Sequence, residues 1–417
     1  MKRSCRQVGT KENENPLAPL GRGEGEGDFH MKKIYLDHNA TTPVQPLVVK
    51  EMEKYFTGIF ANPSSVHSPG QEAADALMEA REAVQGLIGA SKPEEIIFTG
   101  SGTEANNLAI KGITSANEKK GRHVITSVVE HHAVLSPCKS LEKSGYRVTY
   151  LPVDKYGMVN PDDVRKAVAA DTVLVSIMMV NNEIGTINPI PEIGKMLKEK
   201  GIFFHTDAVQ AAGKMPVNVE ALFVDALSIS AHKFYGPKGV GALYLRAGTR
   251  LKPLIEGGHH EKNRRAGTEN VAGIRGLAKA LAIAVESMGP ETKRLLKLRN
   301  MLKNGLSGSI KNIYVMGHPE KVMANTLNVC FEWIEGESII LNLDLKGISV
   351  SSGSACTSGS LEPSHVLMSM GVDSALAQGS IRFSFGTDNA EEDVKYVLEV
   401  LPEIVSRLRS MSPIAPK

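Results

Sequence analysis

Between residues 72 and 245 the chain alternates short apolar runs with segments of helical period, and few architectures accept that rhythm. Apolar or small residues recur at helical spacing over 72–87, and Gly89 then leads into a strand-like run at 95–99. The pattern continues as strand 123–128, helix 134–143, strand 147–151, helix 161–169 and strand 172–180. After a helical stretch at 193–200 come three more strand-like runs, 203–207, 226–230 and 241–245. Parallel neighbours need a crossover long enough to hold a helix, so this spacing predicts an α/β fold built on a mostly parallel sheet. Helical patterns at 274–287 and 292–306 follow a glycine-rich stretch at 256–267. Beyond them a β-then-α arrangement runs through 325–405, which predicts a second, smaller α+β domain starting near 290.

With 417 residues and 42% hydrophobic content, the chain can bury more than one core. Lysine and arginine number 48 against 46 acidic residues, so a net charge of +2 argues for neither direct nucleic-acid binding nor an anionic membrane surface. No apolar stretch approaches the roughly 20 residues that cross a bilayer. Cysteine occurs four times, at Cys5, Cys138, Cys330 and Cys356, too sparsely for a disulfide framework and never at CxxC metal spacing, so a reducing cytoplasm is expected and no metal site. Residues 1–30 carry five basic and five acidic side chains and several glycines without an apolar run, and read as a disordered leader or extension.

Chemistry concentrates at the ends of the strand-like runs. Ser230-Ala231-His232-Lys233 closes one of them before a glycine- and proline-rich turn, and a lysine there can form a Schiff base with an aldehyde cofactor if burial and nearby positive charge lower its pKa. Taken alone, an exposed lysine after a strand is the commoner outcome. Asp207 ends another run with Gln210 three residues on, where a carboxylate can hold a pyridinium nitrogen protonated. Thr99-Gly100-Ser101-Gly102-Thr103-Glu104 joins a strand to a helix over 105–110, so free backbone N–H groups and hydroxyls meet at a helix start, a cradle for phosphate, although capping accounts for Ser101 or Thr103 equally well.

A different signal lies at 351–360, where Cys356 sits among serines, glycines and other small residues that give no apolar anchor, so a mobile loop is expected. A thiol on such an arm suits shuttling rather than packing, which makes Cys356 the candidate nucleophile. Cys330, between Val329 and Phe331, reads instead as a small hydrophobe in a core strand. Arg382, in a strand-like run near the C-terminus, has the planar fork that binds a carboxylate bidentately, or else bridges domains through a salt bridge.

In one order the chain carries Tyr35-Leu36-Asp37-His38-Asn39-Ala40-Thr41-Thr42, Gly100-Ser101-Gly102-Thr103-Glu104, Glu130-His131, Asn181-Asn182-Glu183-Ile184-Gly185, Asp207-Ala208-Val209-Gln210, Ser230-Ala231-His232-Lys233 and the Cys356 segment followed by Leu361-Glu362-Pro363-Ser364-His365. Over about residues 31–417 this resembles the class V, fold-type I pyridoxal-phosphate enzymes, and within them the cysteine desulfurases of the NifS/IscS type. The resemblance implies a fold-type I transferase: a large domain at 43–290 with a mostly parallel seven-stranded sheet, and a small domain from 31–42 and 291–417 that carries the Cys356 loop. It implies pyridoxal 5'-phosphate on Lys233, Asp207 at the pyridinium nitrogen, Asn182 and Gln210 at the phenolic oxygen, and His131 stacked on the ring and moving protons. Gly102, Thr103, Ser230 and His232 would hold the phosphate, and Thr268 would reach the phosphate of the neighbouring subunit in a homodimer. Asn182 and Arg382 would bind the substrate, L-cysteine, with Arg382 on its carboxylate. Cys356 would take the sulfur as a persulfide and pass it to an iron–sulfur scaffold or another acceptor protein. A selenocysteine lyase, or a sulfur-delivery scaffold active only with its partner, would share most of these features. His38 stands where several relatives carry another residue, and no role is expected of it.

Overall fold

The computed structural model describes residues 33–352, 362–413 and 415–416, and within them the apolar runs become strands separated by helices. In chain order come β1 (Ile34–Tyr35), α1 (Pro46–Thr57), α2 (Ser68–Ile88), β2 (Ile96–Thr99), α3 (Gly102–Asn107) and α4 (Ile113–Ala116). Next are β3 (His123–Ser127), α5 (His132–Lys143), β4 (Arg147–Leu151), α6 (Pro161–Ala167), β5 (Thr172–Ser176), α7 (Ile190–Glu199), β6 (Phe203–Asp207), β7 (Ala226–Ser230) and β8 (Gly241–Leu245). The rest holds α8 (Val271–Ser309), β9 (Ile313–Met316), β10 (Thr326–Phe331), α9 (Gly336–Asp344), β11 (Ile348–Ser349), α10 (His365–Ser369), α11 (Ser374–Gln378), β12 (Ser380–Ser384) and α12 (Glu391–Met411).

Seven strands form the main sheet in the order β2-β8-β7-β6-β5-β3-β4. All neighbours run parallel except at β8, which is antiparallel to both β2 and β7. Every residue of β2, β3, β5, β7 and β8 is buried, as expected of strands covered on both faces, and their sequences are largely apolar or small, with the few polar side chains such as His123 buried as well. Because β2 and β7 each pair antiparallel with β8, the carboxyl ends of β2, β6 and β7 open on the same edge of the sheet. In open α/β sheets that edge is where ligands bind.

Two sequence expectations need correction. The separate helices expected at 274–287 and 292–306 form one 39-residue helix, α8, with Pro290 inside it. A proline costs a helix one backbone hydrogen bond, and here burial on both sides outweighs that loss: Ile274, Leu277 and Leu281 pack into the core of the main sheet, whereas Leu298, Leu302 and Leu306 belong to a second core. The helix expected at 105–110 starts earlier, at Gly102, and widens into a π-helical turn over Leu108–Gly112.

The second core lies around the antiparallel sheet β12-β10-β9 and takes in Ile34 and Leu36 from the N-terminal segment. β1 pairs in parallel with β11, through bonds of 2.8 Å from Ile34 N to Gly347 O and from Leu36 N to Ser349 O. Cys330 is fully buried in β10, and burial pushes its thiol up to about 12, so it packs and does not react at neutral pH. Among the described residues no helix is long and apolar enough to cross a membrane.

Candidate active site

At the carboxyl edge of the main sheet the chain encloses a cavity of about 470 Å³. Each sequence element reaches it for a local reason. β7 ends on the buried Ser230, and the short 3-10 turn Ala231–Lys233 swings Lys233 into the wall. The Lys233 Nζ donates to Asn39 O at 2.7 Å and to Ala40 O at 2.6 Å, so the amine is held by backbone carbonyls of the N-terminal segment. β6 ends on Asp207, whose Oδ1 accepts from Val209 N at 2.9 Å and whose Oδ2 accepts from Asn106 Nδ2 at 2.6 Å. Burial pushes the Asp207 carboxyl above its usual range, and these two donors oppose that push.

β2 runs out at Thr99 into the turn that opens α3. Ser101 caps this helix by accepting from Glu104 N at 3.1 Å, so its hydroxyl serves the cap. Gly102 and Thr103 line the cavity, and a Cβ at Gly102 would lie 2.8 Å from Val209 Cγ2 and 3.1 Å from Ser230 Cβ, which makes the glycine a condition of closing this corner. The turn is tied down by Glu104, which accepts from Gly100 N at 2.7 Å and pairs with Arg265 at 2.9 Å.

His131 caps α5: its Nδ1 accepts from Ala133 N at 3.0 Å. Burial lowers its pKa, so the ring is neutral at ordinary pH, and with Nδ1 accepting, the proton sits on Nε2. His232 also lines the cavity, with Nδ1 3.1 Å from Thr41 Oγ1, and burial lowers it to about 4. Gln210 is buried; it donates from Nε2 to Asn39 O at 3.0 Å and accepts at Oε1 from Lys214 Nζ at 3.0 Å. The carbonyl of Asn182 accepts from Arg382 Nη1 at 3.0 Å, while its side chain, which lines the cavity, makes no hydrogen bond among the described residues. Arg382 is only 2% exposed, pairs with Asp37 Oδ1 at 2.8 Å and leaves its Nε without a partner among the described residues.

The structure therefore gathers Gly102, Thr103, His131, Asn182, Asp207, Gln210, Ser230, His232, Lys233 and Arg382 round one space. Thr268 is not part of it; it is exposed, in a stretch pinned to this half of the molecule by the Arg81–Glu261 pair at 2.7 Å and by Arg265. Cys356 and the leader 1–30 lie outside the described residues. Just past the Cys356 segment, Ser364 donates to Glu183 and His365 Nε2 lies 3.0 Å from Glu130 O, and Glu362, Pro363 and His365 line the cavity.

Sequence reasoning missed Asn106, the carbonyls of Asn39 and Ala40, and Lys214. Asn106 carried a usable signal, being an amide one helical turn beyond Gly102 on the face toward β6.

The chain matches the Aminotransferase class-V family over residues 34–397. It is a member of that family. The class-V chain is 54% identical over 382 residues to the cysteine desulfurase IscS of Dictyoglomus turgidum, a match covering 92% of this chain and 97% of the relative. Among solved structures, a NifS-like protein superposes with a TM-score of 0.85 at 42% identity, covering 90% of this class-V chain and all of the other. SspA in complex with cysteine superposes at 0.76 with 36% identity, covering 85% and 99%.

Proposed function

We propose that this chain is a pyridoxal-phosphate-dependent cysteine desulfurase that converts L-cysteine to L-alanine, collects the sulfur as a persulfide on Cys356 and passes it to acceptors for iron–sulfur cluster assembly or other sulfur-containing products. The observation that carries the reading is the meeting of the Lys233 amine, the buried Asp207 carboxylate and the glycine-lined start of α3 round a single cavity. The cofactor fits these residues. Asp207 is a desolvated carboxylate that a cationic N–H would compensate, and the corner at Gly102 admits a group that any side chain there would exclude. When bound, pyridoxal phosphate supplies an electron sink for charge that develops on the substrate's Cα.

The residues then divide the work. Lys233 would hold the aldehyde and, once displaced, carry a proton on Nζ. Asp207 would hold the ring-nitrogen proton, and Gly102, Thr103, Ser230 and His232 the phosphate. Gln210 has a second amide N–H beyond the one given to Asn39 O, and that N–H and the Asn182 amide would serve the phenolic oxygen. His131 would stack on the ring and donate from Nε2; to accept a proton it must first give up its Nδ1 bond to Ala133 N. The substrate carboxylate would share Arg382 with Asp37. As Cys356 Sγ takes the sulfur, an S–S bond forms, the Cβ–S bond breaks, and the carbon skeleton takes up protons to leave as alanine.

The active unit in this reading is a cytoplasmic homodimer in which Thr268 reaches the neighbouring subunit's phosphate. Similarity to SspA, which was solved with cysteine, supports the substrate.

The test is to incubate the protein with pyridoxal phosphate, L-cysteine and a thiol reductant and to quantify alanine and sulfide beside a Cys356→Ala variant with the same cofactor absorbance. Equal amounts of both from wild type, and neither from the variant, are expected. Alanine formation unchanged by the substitution would exclude the persulfide route and favour a lyase acting on a different Cβ substituent, such as selenium.

A further inference from the structure

Lys214 stands behind the wall of the active-site cavity, in a second cavity of about 70 Å³ that it shares with His38, Gln45, Tyr235 and Glu291. Its Nζ donates to Gln210 Oε1 at 3.0 Å, Gln210 Nε2 donates to Asn39 O at 3.0 Å, and that same carbonyl accepts from Lys233 Nζ at 2.7 Å. One amide and one carbonyl thus join the two lysine amines. An ammonium only donates and a carbonyl only accepts, so the amide of Gln210 has a single orientation that satisfies both neighbours.

We propose that Lys214 is a positioning residue for the reaction proposed above: its ammonium group fixes the direction of the Gln210 amide and sets a positive charge behind Lys233 that makes that amine a readier nucleophile. The inference rests on Lys233 being the cofactor lysine.

The surroundings give this cation little else to do. No carboxylate lies within ion-pair distance of it among the described residues. Glu291, which reaches the cavity from α8, is paired with Arg294 at 2.8 Å. From the N-terminal segment comes the ring of His38, 2% exposed and with its pKa lowered by burial to about 4, hence neutral. Gly386 leaves room for that ring: a Cβ there would lie 2.2 to 2.4 Å from three of its atoms. Tyr235, from the turn after β7, accepts from Thr387 N at 2.8 Å. The remaining charges that act on Lys214 are Lys233 and, from β12, Arg382, both positive; burial together with these two lowers Lys214 to about 7, so its positive charge is present in full below neutral pH and is lost as the pH rises through that value. A buried cation kept without a counter-ion costs stability, and a second amine poised close by is an established way of raising the nucleophilicity of a lysine.

The experiment is a spectrophotometric pH titration of the cofactor-loaded protein as wild type, Lys214→Met, Lys214→Gln and Lys214→Arg. Removing a nearby positive charge favours the protonated form, so the midpoint of the visible absorbance change is expected to rise by about one pH unit in the Met and Gln variants and to stay near wild type in the Arg variant. A pH profile of Lys233 acylation in the cofactor-free protein, read by peptide mass spectrometry, is expected to shift the same way. Folded Met and Gln variants with the wild-type midpoint would overturn the proposal and leave Lys214 a packing residue. Wild-type protein that shows no absorbance depending on Lys233 would overturn the parent reading instead.

Discussion

Lys233→Ala is expected to abolish the visible absorbance that the protein gains with pyridoxal phosphate and to slow alanine formation from cysteine by at least about a thousandfold, since on the proposed reading it removes both the covalent anchor and a general acid–base group. Lys233 is the one lysine lining the active-site cavity among the described residues, and the next amine, Lys214, sits on the far side of Gln210. The substitution frees the carbonyls of Asn39 and Ala40 from their donor, but the space vacated opens on the cavity, where water can replace the amine, so the loss in melting temperature should be small beside the loss in rate. Absorbance spectra and product assays on the purified variant check both parts. Retention of the cofactor band would place the anchor elsewhere.

Asp207→Asn is expected to reduce turnover by about a hundredfold or more, while the cofactor-free protein melts at the same temperature or higher. The two effects have one origin. Asp207 is a buried carboxylate whose hydrogen bonds among the described residues come from the neutral N–H groups of Val209 and Asn106, so its ionised form is held against desolvation. An amide of the same shape keeps the bond from Val209 N, and Asn106 can turn over to offer Oδ1, which now has no partner, to the new N–H₂. The charge that would hold a pyridinium proton is gone at little structural cost. A variant that loses stability while keeping its rate would contradict this division.

Much of the fold was legible because each main-sheet strand is a short run between punctuation. The bounds of β4, β6, β7 and β8 coincide with those read from the sequence. β5 stops at Ser176 although the apolar run continues to Val180, because 177 and 179 reach past the ladder to bond His205 O and Asp207 O one at a time. Nothing in apolarity alone distinguishes those two situations. α8 departs from the two helices expected because the two cores on either side carry one helix on through Gly289 and Pro290. At the site, the residues that could be found were those at strand ends and helix starts, where chain direction itself puts side chains at the sheet's ligand-binding edge. The carbonyls of Asn39 and Ala40 were beyond reach, since a backbone acceptor has no residue type to betray it. Lys214 was passed over because a lysine in a sequence is taken as solvated, and only the packing of His38 and α8 over it says otherwise.

The short N-terminal segment that holds Lys233 is itself held by the far end of the chain. Ser384 N donates to Leu36 O at 2.7 Å, Asn39 N donates to Ser384 Oγ at 2.9 Å, and Asn325 Nδ2 donates to Asn39 Oδ1 at 3.0 Å. Polypeptides leave the ribosome in order, so the lysine is made, and its sheet can form, well before the strand that fixes its two acceptors has been translated. On the proposed reading, the reactive centre is therefore complete only once β12 has been made, however early the lysine is. A chain ended before residue 380 is expected to give no lysine-bound cofactor absorbance, and its appearance in such a fragment would refute that order of events.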